Sequence, residues 1–426
     1  MAKTALSSLR MVVFVNENKT PDFAFRSMAA WGADITELPS AKVLKSAPDH
    51  DQPHDRNSWV HYRMGDYPAE PTQIDNDSIQ PFHAYLAKMF TFSDHHFGIG
   101  SNSTSGHMLI VGGQTPTLKN PPFGPGGPQW DLPSIFTHAA RKKITWAAVP
   151  DGDQYPVKFY SELNVAANAL NVHPTSDVTN DAFIQLVQAG RLPQLSYVWG
   201  PAGADEHPPF RISDPAYLSR ADDLLWQRVD AVVKAGQWDS TVFILTYDDW
   251  GGYADHVLTP VLETAVDAIH PGGFPIIGGS RLPFIMFGGP VGQRIDNTWH
   301  SHTSVIKTII DMYGLGKFGV PRVDTAPTLT GLIDPLVKRP APPAFGTKIV
   351  QPTPPSPRPA PVPTPAWKGP VNKPLADVVL NGGKTLAAPA DAKVSLKPPK
   401  PPPALVGRAS VAASGPPRRW QRPADW

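Results

Sequence analysis

The chain has 426 residues, which is long enough for one large domain and an additional segment. It contains no cysteine, so disulfide bonds, a thiolate nucleophile and cysteine-ligated metals are excluded. No run approaches the roughly 20 apolar residues of a membrane-spanning helix. The net charge is +1, but residues 340–426 carry seven Lys, five Arg and three Asp, so the preceding part is acidic. An acidic body argues against nucleic acid as the main ligand.

The N-terminal residues contain no long apolar segment of the kind that directs export. Residues 11–15 are apolar, but this run is too short for a signal peptide and predicts a buried strand instead. We therefore expect a cytoplasmic protein from the sequence as written. A misassigned start would make it periplasmic or secreted.

Short apolar runs alternate with amphipathic patterns of helical period along the chain. Strands are predicted at residues 11–15, 108–111, 144–149, 194–198, 241–247 and 284–287. Helices are predicted at 79–90, at 302–313, and in a stretch capped by Asp214, opened by Pro215 and closed by Gly236. This alternation predicts an α/β sandwich with a largely parallel central sheet flanked by helices.

Carboxylates follow two of these strands directly. Glu17 and Asn18 come after the first strand, and Asp248 and Asp249 come after the strand at 241–247. The carboxyl ends of parallel strands share one edge of the sheet, so these four residues are expected to converge. Their oxygen atoms suit a hard cation such as Mg²⁺, Ca²⁺ or Mn²⁺. The alternative is a pair of polar turns without a ligand.

A glycine-flanked cluster of hydroxyl residues, at 98–107, precedes the predicted strand 108–111. Such a loop can expose one hydroxyl group and direct backbone N–H groups at an anion. A serine or threonine there needs a metal ion or a base to become a nucleophile. The alternative is a flexible loop rich in serine and glycine.

Several histidines are candidates for supplying positive charge or for protonating a leaving oxygen. His207 lies in a loop before two prolines, and His302 opens the helix at 302–313. The other candidates in polar segments are His54, His61, His83, His95 and His96. Most single histidines in proteins are packing or surface residues, which is the alternative for each of these.

Residues 339–426 form a basic tail that is rich in proline. This segment holds 22 of the 51 prolines, and Pro352 to Pro365 and Pro398 to Pro403 are typical of extended polyproline II structure. Within it, the apolar run at residues 378–380 is typical of a short strand. The tail is predicted to be mostly extended or disordered, either as a linker or as a docking segment for a protein or an anionic membrane surface.

The motifs together resemble a bacterial phosphoesterase family, which contains phospholipases C of the phosphatidylcholine type and the acid phosphatase A group. This family looks like a branch of the alkaline-phosphatase-like fold, so the resemblance implies that fold for this chain. The first motif is matched by Val12 to Phe23, and the closing motif by Thr246 to Val257, with Asp249 in place of a usual Glu. A further motif is matched by Arg281 to Pro283 and by His300 to Ser304. The resemblance covers roughly residues 10–335.

The resemblance implies a divalent metal ion, Mg²⁺, Ca²⁺, Mn²⁺ or Zn²⁺, held by Glu17, Asn18, Asp248 and Asp249. It implies Ser103 as the nucleophile, with Thr104 and Ser101 as reserves, and His207 and His302 as catalytic histidines. The nucleophile motif departs from the family pattern: Asn102 and Ser105 replace prolines, and Gly106 replaces an asparagine.

The resemblance also implies a function for residues 1–338, a phosphoesterase catalytic domain. The expected activity is metal-dependent hydrolysis of a small-molecule or lipid phosphate ester through a phosphoserine, similar to an acid phosphatase. One alternative is a phospholipase C that acts on phosphatidylcholine-type lipids. Because the family's asparagine is missing at position 106, a non-catalytic binding module is the other alternative.

Overall fold

The central feature of the fold is a nine-stranded sheet. The computed structural model describes residues 6–38, 41–64, 72–121, 128–209, 213–257, 262–265 and 274–356. The strands are β1 Arg10–Asn16, β2 Lys42–Leu44, β3 Thr72–Ile74, β4 Thr91–Ile99, β5 Trp146–Val149, β6 Leu195–Trp199, β7 Thr241–Tyr247, β8 Glu263–Ala265, β9 Phe274–Gly288, β10 Arg294–Asp296 and β11 His300–Ser301. The helices are α1 Pro21–Ala24, α2 Arg56–Met64, α3 Asn76–Ile79, α4 Pro81–Met89, α5 Ser103–Gly112, α6 Ile135–Ala140, α7 Ala182–Gln188, α8 Tyr217–Lys234, α9 His302–Tyr313 and α10 Pro321–Asp324.

The strand order of the sheet is β10-β4-β9-β7-β1-β6-β5, to which β11 and β8 attach. Strand β1 lies between β6 and β7 and pairs with both in parallel. In this register Val15 is opposite Thr246 on one side and Trp199 on the other. The carboxyl ends of the three strands therefore meet at one edge of the sheet, where open α/β sheets bind their ligands.

The sheet is largely parallel, as predicted, with one antiparallel insertion. Strand β9 pairs antiparallel with β4, with β7 and with β8. The predicted strand at 284–287 is the C-terminal part of β9, which begins ten residues earlier, at Phe274. Glycines and a proline interrupt the apolar pattern of its first half, which explains why the sequence indicated only the second half.

Helices cover both faces of the sheet, because the residues of β1 alternate between two hydrophobic cores. Val12 and Phe14 pack into the core that also contains Phe82 of α4 and Leu225 of α8. Met11, Val13 and Val15 pack into the second core, with residues of α5 and α9. This confirms the predicted α/β sandwich. Among the described residues, no helix is long and apolar enough to cross a membrane.

The strand predicted at 108–111 is wrong, because these residues belong to helix α5. The helix begins at Ser103 and ends before Gly113, which has the left-handed φ of 65°. All ten of its residues are buried. A helix that is buried on every side shows no amphipathic period, so a short apolar run within it cannot be distinguished from a buried strand.

The three predicted helices are present, with changes at their starts. The stretch 79–90 is interrupted before Pro81, so α3 and α4 replace one helix. Helix α8 begins at Tyr217, and Asp214 accepts a hydrogen bond from the Ala216 N–H before the helix starts. Helix α9 covers the predicted 302–313 and ends at Gly314 in the left-handed conformation.

The first described part of the predicted tail is extended and packs on the body. The indole N–H groups of Trp238 and Trp226 donate to the carbonyl oxygens of Arg339 and Pro343, at 2.8 and 2.7 Å. Residues 339–356 contain no helix or strand. The predictions for 378–380 and for Pro398 to Pro403 lie outside the described residues.

Candidate metal centre and its serine

The loops that follow β1 and β7 are joined by backbone hydrogen bonds. The Asp248 N–H donates to the Asn16 carbonyl oxygen at 3.0 Å, and the Lys19 N–H donates to the Asp249 carbonyl oxygen at 3.1 Å. The Asn18 N–H donates to Asp248 Oδ1 at 3.0 Å. The structure therefore brings the two predicted polar segments together, although about 230 positions separate them in the sequence.

Two residues in left-handed conformation make this close approach possible. Asn18 has a φ of 62°, which asparagine adopts more readily than most side chains. Gly251 has the same φ, and a Cβ atom at this position would lie 2.6 Å from the Asn18 Cβ. The Gly251 N–H also donates to Asp249 Oδ1 at 2.8 Å. A side chain at 251 would therefore push apart the residues that converge here.

Ser103 is the hydroxyl residue of the 98–107 segment that faces the carboxylates. It is the first residue of α5, and its Oγ donates a hydrogen bond to Asp249 Oδ2 at 3.1 Å. The two reserve candidates have other partners: the Ser101 Oγ donates to the Leu118 carbonyl oxygen, and the Thr104 Oγ1 contacts the Tyr155 hydroxyl, both at 3.0 Å. This geometry favours Ser103 over both of them.

The departure from the family pattern at Gly106 has a steric explanation. A Cβ atom at this position would lie 2.2 Å from the Asp248 carbonyl oxygen. Backbone atoms cannot move aside as a flexible side chain does, so an asparagine at 106 would displace either helix α5 or the Asp248 loop. The glycine allows the helix that carries Ser103 to lie directly against the end of β7.

Within the described part of the chain, the three carboxylates of the site face histidines but form no ion pair with a lysine or an arginine. Burial, together with the Asp205 and Asp249 carboxylates, raises the pKa of Glu17 well above its ordinary value. Burial and the Glu17 charge raise the pKa of Asp248 to about 7. Burial and the Asp248 charge raise the pKa of Asp249 to about 8. These shifts are the expected result of placing like charges together in a low-dielectric environment.

Unsatisfied oxygen atoms at the same place fit a bound cation. Asp248 Oδ2 and both polar side-chain atoms of Asn18 are buried and make no hydrogen bond within the described residues. Buried polar atoms are nearly always satisfied by a protein group, water or an ion. A divalent cation would satisfy these oxygens and would lower the raised carboxylate pKa values. The residues present therefore fit the predicted metal ion.

His107 is a further member of the site that the sequence did not single out. Its Nε2 lies 2.7 Å from Glu17 Oε1 and 3.6 Å from Asp248 Oδ2. Its Nδ1 accepts a hydrogen bond from the Trp199 indole N–H at 3.2 Å. Burial lowers the pKa of His107 below its ordinary value. The ring thus lies between two of the predicted metal ligands.

His54 approaches the site from the loop before α2. Its Nε2 lies 3.9 Å from Asp249 Oδ2, and its Nδ1 donates to the Gln52 carbonyl oxygen at 2.6 Å. Burial lowers the pKa of His54, but the Asp249 and Asp51 carboxylates outweigh burial and raise it well above its ordinary value. The two carboxylates therefore favour the protonated form of His54, which lies beside the acceptor of the Ser103 hydrogen bond.

The two predicted catalytic histidines occupy different environments. The His207 ring lies 5.7 Å from the His54 ring, and burial lowers the pKa of His207 to about 4. His302 is fully buried, and its Nε2 donates to the Tyr247 carbonyl oxygen at 2.7 Å. Burial lowers the pKa of His302 to about 4. His207 thus lies beside the candidate site, whereas His302 lies behind the end of β7.

His83 and the residues around it form a buried network next to the site. Its Nε2 contacts Glu206 at 3.0 Å, and its Nδ1 contacts Asp222 at 2.5 Å. Lys19 forms a buried ion pair with the same Glu206 and donates to Gln80 at 2.7 Å. Glu206 precedes His207, and Lys19 follows Asn18, so this network holds both site loops in place.

Arg281 organises a second acidic cluster. Its guanidinium donates to Asp22 Oδ1 at 3.1 Å and to Asp255 Oδ2 at 3.1 Å, and His256 Nδ1 lies 2.6 Å from Asp22 Oδ2. Arg281 is fully buried. The family-like motifs around Asp22, Asp255 and Arg281 therefore meet in an ion-pair network.

A model of the phosphoesterase family matches residues 11–316, well over half of the chain. The chain belongs to the phosphoesterase family. The hemolytic phospholipase C of Pseudomonas aeruginosa is 30% identical over 146 residues, which are 30% of this chain and 19% of that protein. Phospholipase C B of Mycobacterium tuberculosis is 26% identical over 304 residues, which are 60% of this chain and 52% of that protein. The chain spans about half or less of the length of these curated relatives.

Solved structures show a more distant similarity. A protein of the alkaline phosphatase superfamily from Vibrio parahaemolyticus is similar with a TM-score of 0.39 and 12% sequence identity. The match covers 73% of this chain and 68% of the other chain.

Three residues of the site were missed or left without a role by sequence analysis. Trp199 ends β6, the strand beside β1, so the same strand-end argument that indicated Glu17 applies to it. His107 was hidden because residues 108–111 were predicted to be a strand, which separated it from the helix that carries Ser103. His54 has no local signal, because only tertiary contacts bring it to Asp249.

Proposed function

We propose that this phosphoesterase hydrolyses phosphate esters through a phosphoserine formed at Ser103. One observation carries the proposal: the Ser103 Oγ, at the start of α5, donates a hydrogen bond to Asp249 within the carboxylate cluster. The N-terminus of a ten-residue helix also stabilises negative charge on an attached oxygen. The family match supports phosphoester hydrolysis in general.

Glu17, Asn18, Asp248 and Asp249 are the residues that would hold the divalent cation. When bound, the cation would neutralise phosphoryl oxygens and lower the pKa of a nearby hydroxyl group. The residues themselves prepare the nucleophile. Asp249 Oδ2 accepts the Ser103 hydrogen, so that an oxygen lone pair of Oγ is free to attack phosphorus in line with the leaving oxygen.

We assign the proton donor for the leaving alcohol to His54. The pKa of His54 is raised, whereas burial lowers the pKa values of His207 and His302 to about 4. After the alcohol leaves, the neutral His54 would accept a proton from the water that attacks the phosphoserine. His207 lies beside this ring and has its Nδ1 held by the Pro208 carbonyl oxygen at 2.7 Å.

The first candidate substrate class is a phosphate monoester, as for an acid phosphatase. A second candidate, phosphodiester cleavage, is favoured by the relatives, because the proteins from Pseudomonas aeruginosa and Mycobacterium tuberculosis are both named phospholipase C. Both reactions begin with the same attack by Ser103 and differ in the group that stays on phosphorus.

The test compares hydrolysis of p-nitrophenyl phosphate and p-nitrophenyl phosphocholine across pH, with and without a chelator. Chelator-sensitive release from the monoester alone supports a phosphatase, and release from the diester supports a phospholipase C. An acid quench during turnover, followed by peptide mass analysis, should find phosphate or phosphocholine on Ser103. Absence of hydrolysis of both esters with metals restored favours the non-catalytic binding module.

A further inference from the structure

The contact between Trp199 and His107 determines which nitrogen of His107 carries a hydrogen. The Trp199 Nε1 lies 3.2 Å from His107 Nδ1. An indole nitrogen is a donor only, so the Nδ1 atom that faces it must offer a lone pair. His107 is fully buried and Trp199 is 3% exposed, so this hydrogen bond lies in the interior.

With Nδ1 acting as the acceptor, the neutral His107 ring carries its hydrogen on Nε2. That N–H points at Glu17 Oε1, which lies 2.7 Å away. A carboxylate that receives such a hydrogen bond is held in one orientation and keeps its other lone pairs for a ligand. Trp199, His107 and Glu17 therefore form a directed chain in which each N–H donates toward the metal centre.

We propose that Trp199 keeps His107 as a hydrogen-bond donor to Glu17, so that His107 orients a metal ligand and is not a ligand itself. This inference rests on the metal centre of the proposed function. By residue type, Glu17, His107 and Asp248 would be a mixed nitrogen and oxygen ligand set, since their ligand atoms lie within 4.8 Å of one another. With His107 excluded, the centre offers oxygen only and selects a hard cation, Mg²⁺, Ca²⁺ or Mn²⁺, over Zn²⁺.

The alternative arrangement is disfavoured by the same contact. Coordination through Nε2 requires the hydrogen to move to Nδ1. Two N–H groups would then face each other at 3.2 Å, and the buried Trp199 N–H would lose its acceptor. Trp199 acts here as a positioning residue, because it influences the cation only through His107 and Glu17.

The first experiment examines Mn²⁺ bound to the full-length protein, labelled with ¹⁵N-histidine, by pulsed electron paramagnetic resonance. We expect no coupling of a directly coordinated histidine nitrogen. Such a coupling overturns the proposal, and its disappearance in His107→Gln would identify His107 as the ligand. Failure of the wild-type protein to bind Mn²⁺, even when Mn²⁺ is in large excess, also overturns the proposal.

The second experiment removes the donor with Trp199→Phe and measures Zn²⁺ and Mn²⁺ affinities by competition with a chromophoric chelator. We expect the preference for Zn²⁺ over Mn²⁺ to rise by about tenfold or more, since His107 becomes free to coordinate. The matched control is Tyr197→Phe on the same strand, which removes only a hydrogen bond from the Tyr197 hydroxyl to the Ile110 carbonyl oxygen. An unchanged preference in a folded Trp199→Phe variant contradicts the proposal.

The two experiments separate this inference from the proposed function. Neither one uses hydrolysis, so an inactive protein with a nitrogen-free Mn²⁺ spectrum refutes the phosphoserine mechanism and leaves the role of His107 standing. An active enzyme with a histidine-bound Mn²⁺ refutes the role of His107 and leaves the phosphoserine mechanism standing. If Trp199→Phe fails to fold, the spectra of the wild type and His107→Gln decide the question alone.

Discussion

Two acidic clusters lie at the carboxyl edge of the sheet, and each draws carboxylates from the same two loops. The metal-centre cluster combines Glu17 with Asp248 and Asp249, and the Arg281 cluster combines Asp22 with Asp255. In the second cluster the guanidinium of Arg281 provides the positive charge from within the protein. In the first, the described residues that face the carboxylates with a basic group are the histidines His54 and His107, and burial with like charge raises the carboxylate pKa values.

The difference shows how the same residue type serves structure in one place and ligand binding in another. Burial raises the pKa of Asp22, but Arg281 and His256 outweigh burial and lower it below its ordinary value. Burial and like charge raise that of Asp249 to about 8. Burial still raises the pKa of Asp255 to about 6, because Arg281 offsets burial only in part. An acidic cluster paired with a buried guanidinium stabilises the fold, whereas one that faces only histidines favours an external cation.

The largest expected effect is on turnover. Replacing Ser103 by Ala removes the attacking oxygen, and we expect hydrolysis of the better ester to fall by about 10⁴-fold or more. Divalent-cation affinity should change little, because the four predicted ligands remain. Steady-state kinetics measures the loss of turnover, and calorimetric titration measures the cation affinity. Full activity of the variant would exclude Ser103 as the nucleophile.

The same chemical change should have opposite effects in the two clusters. Asp22→Asn weakens buried bonds to Arg281 and His256, so we expect the free energy of unfolding to fall by about 2–3 kcal/mol. Asp249→Asn replaces a carboxyl group whose ionisation burial and Asp248 disfavour, so the chelated protein should be unchanged or slightly more stable. Urea denaturation of both variants in chelator measures this. A comparable loss of stability in both would remove the distinction between the clusters.

A smaller effect is expected in the pH dependence of the chelated protein. The pKa values of Asp248 and Asp249, about 7 and 8, are above those of unfolded carboxyls. Their contribution to stability is present below about pH 4 and is lost as pH rises through 7 and 8. We expect a loss on the order of 1–2 kcal/mol between pH 7 and 9. Added cation should abolish this loss, and thermal melts at each pH would show it.

The smallest effect concerns His256 in the Arg281 cluster. Burial lowers its pKa, but hydrogen bonds to Asp22 and Asp34 raise it to about 9. The stabilisation is therefore complete below about pH 6.5 and is lost as pH rises through 9. His256→Gln should destabilise the protein by about 1 kcal/mol at pH 6.5. The free energies of unfolding of the variant and the wild type should become equal near pH 10 in the same denaturation assay.

The sequence was most informative where local pattern and chain direction act together. The alternation of strands and helices predicted a largely parallel sheet, and the carboxylates at the strand ends then predicted that Glu17 and Asp248 converge. The motif resemblance indicated Ser103, whose hydroxyl contacts Asp249 in the structure, and its role as nucleophile stays a prediction. Its neighbours at 108–111 were assigned wrongly, because a fully buried helix has no polar face.

Features that depend on contacts between distant segments were beyond sequence analysis. His54 reaches Asp249, and Arg281 reaches Asp22, only through the packing of separate loops on the sheet. The hydrogen bond from Trp199 to His107 joins a strand end to a helix interior. Such pairs have no spacing rule, so their roles follow from geometry alone.

The packing of residues 339–351 on the body has a practical consequence for shortened versions of the protein. A truncation after residue 338 would remove the carbonyl oxygens that accept from the indoles of Trp238 and Trp226. It would also remove the Gln351 side chain, which donates to the Pro81 carbonyl oxygen at 2.8 Å. An expression boundary chosen from the family match or from the start of the proline-rich composition would therefore expose two tryptophans, and the cut belongs after residue 351.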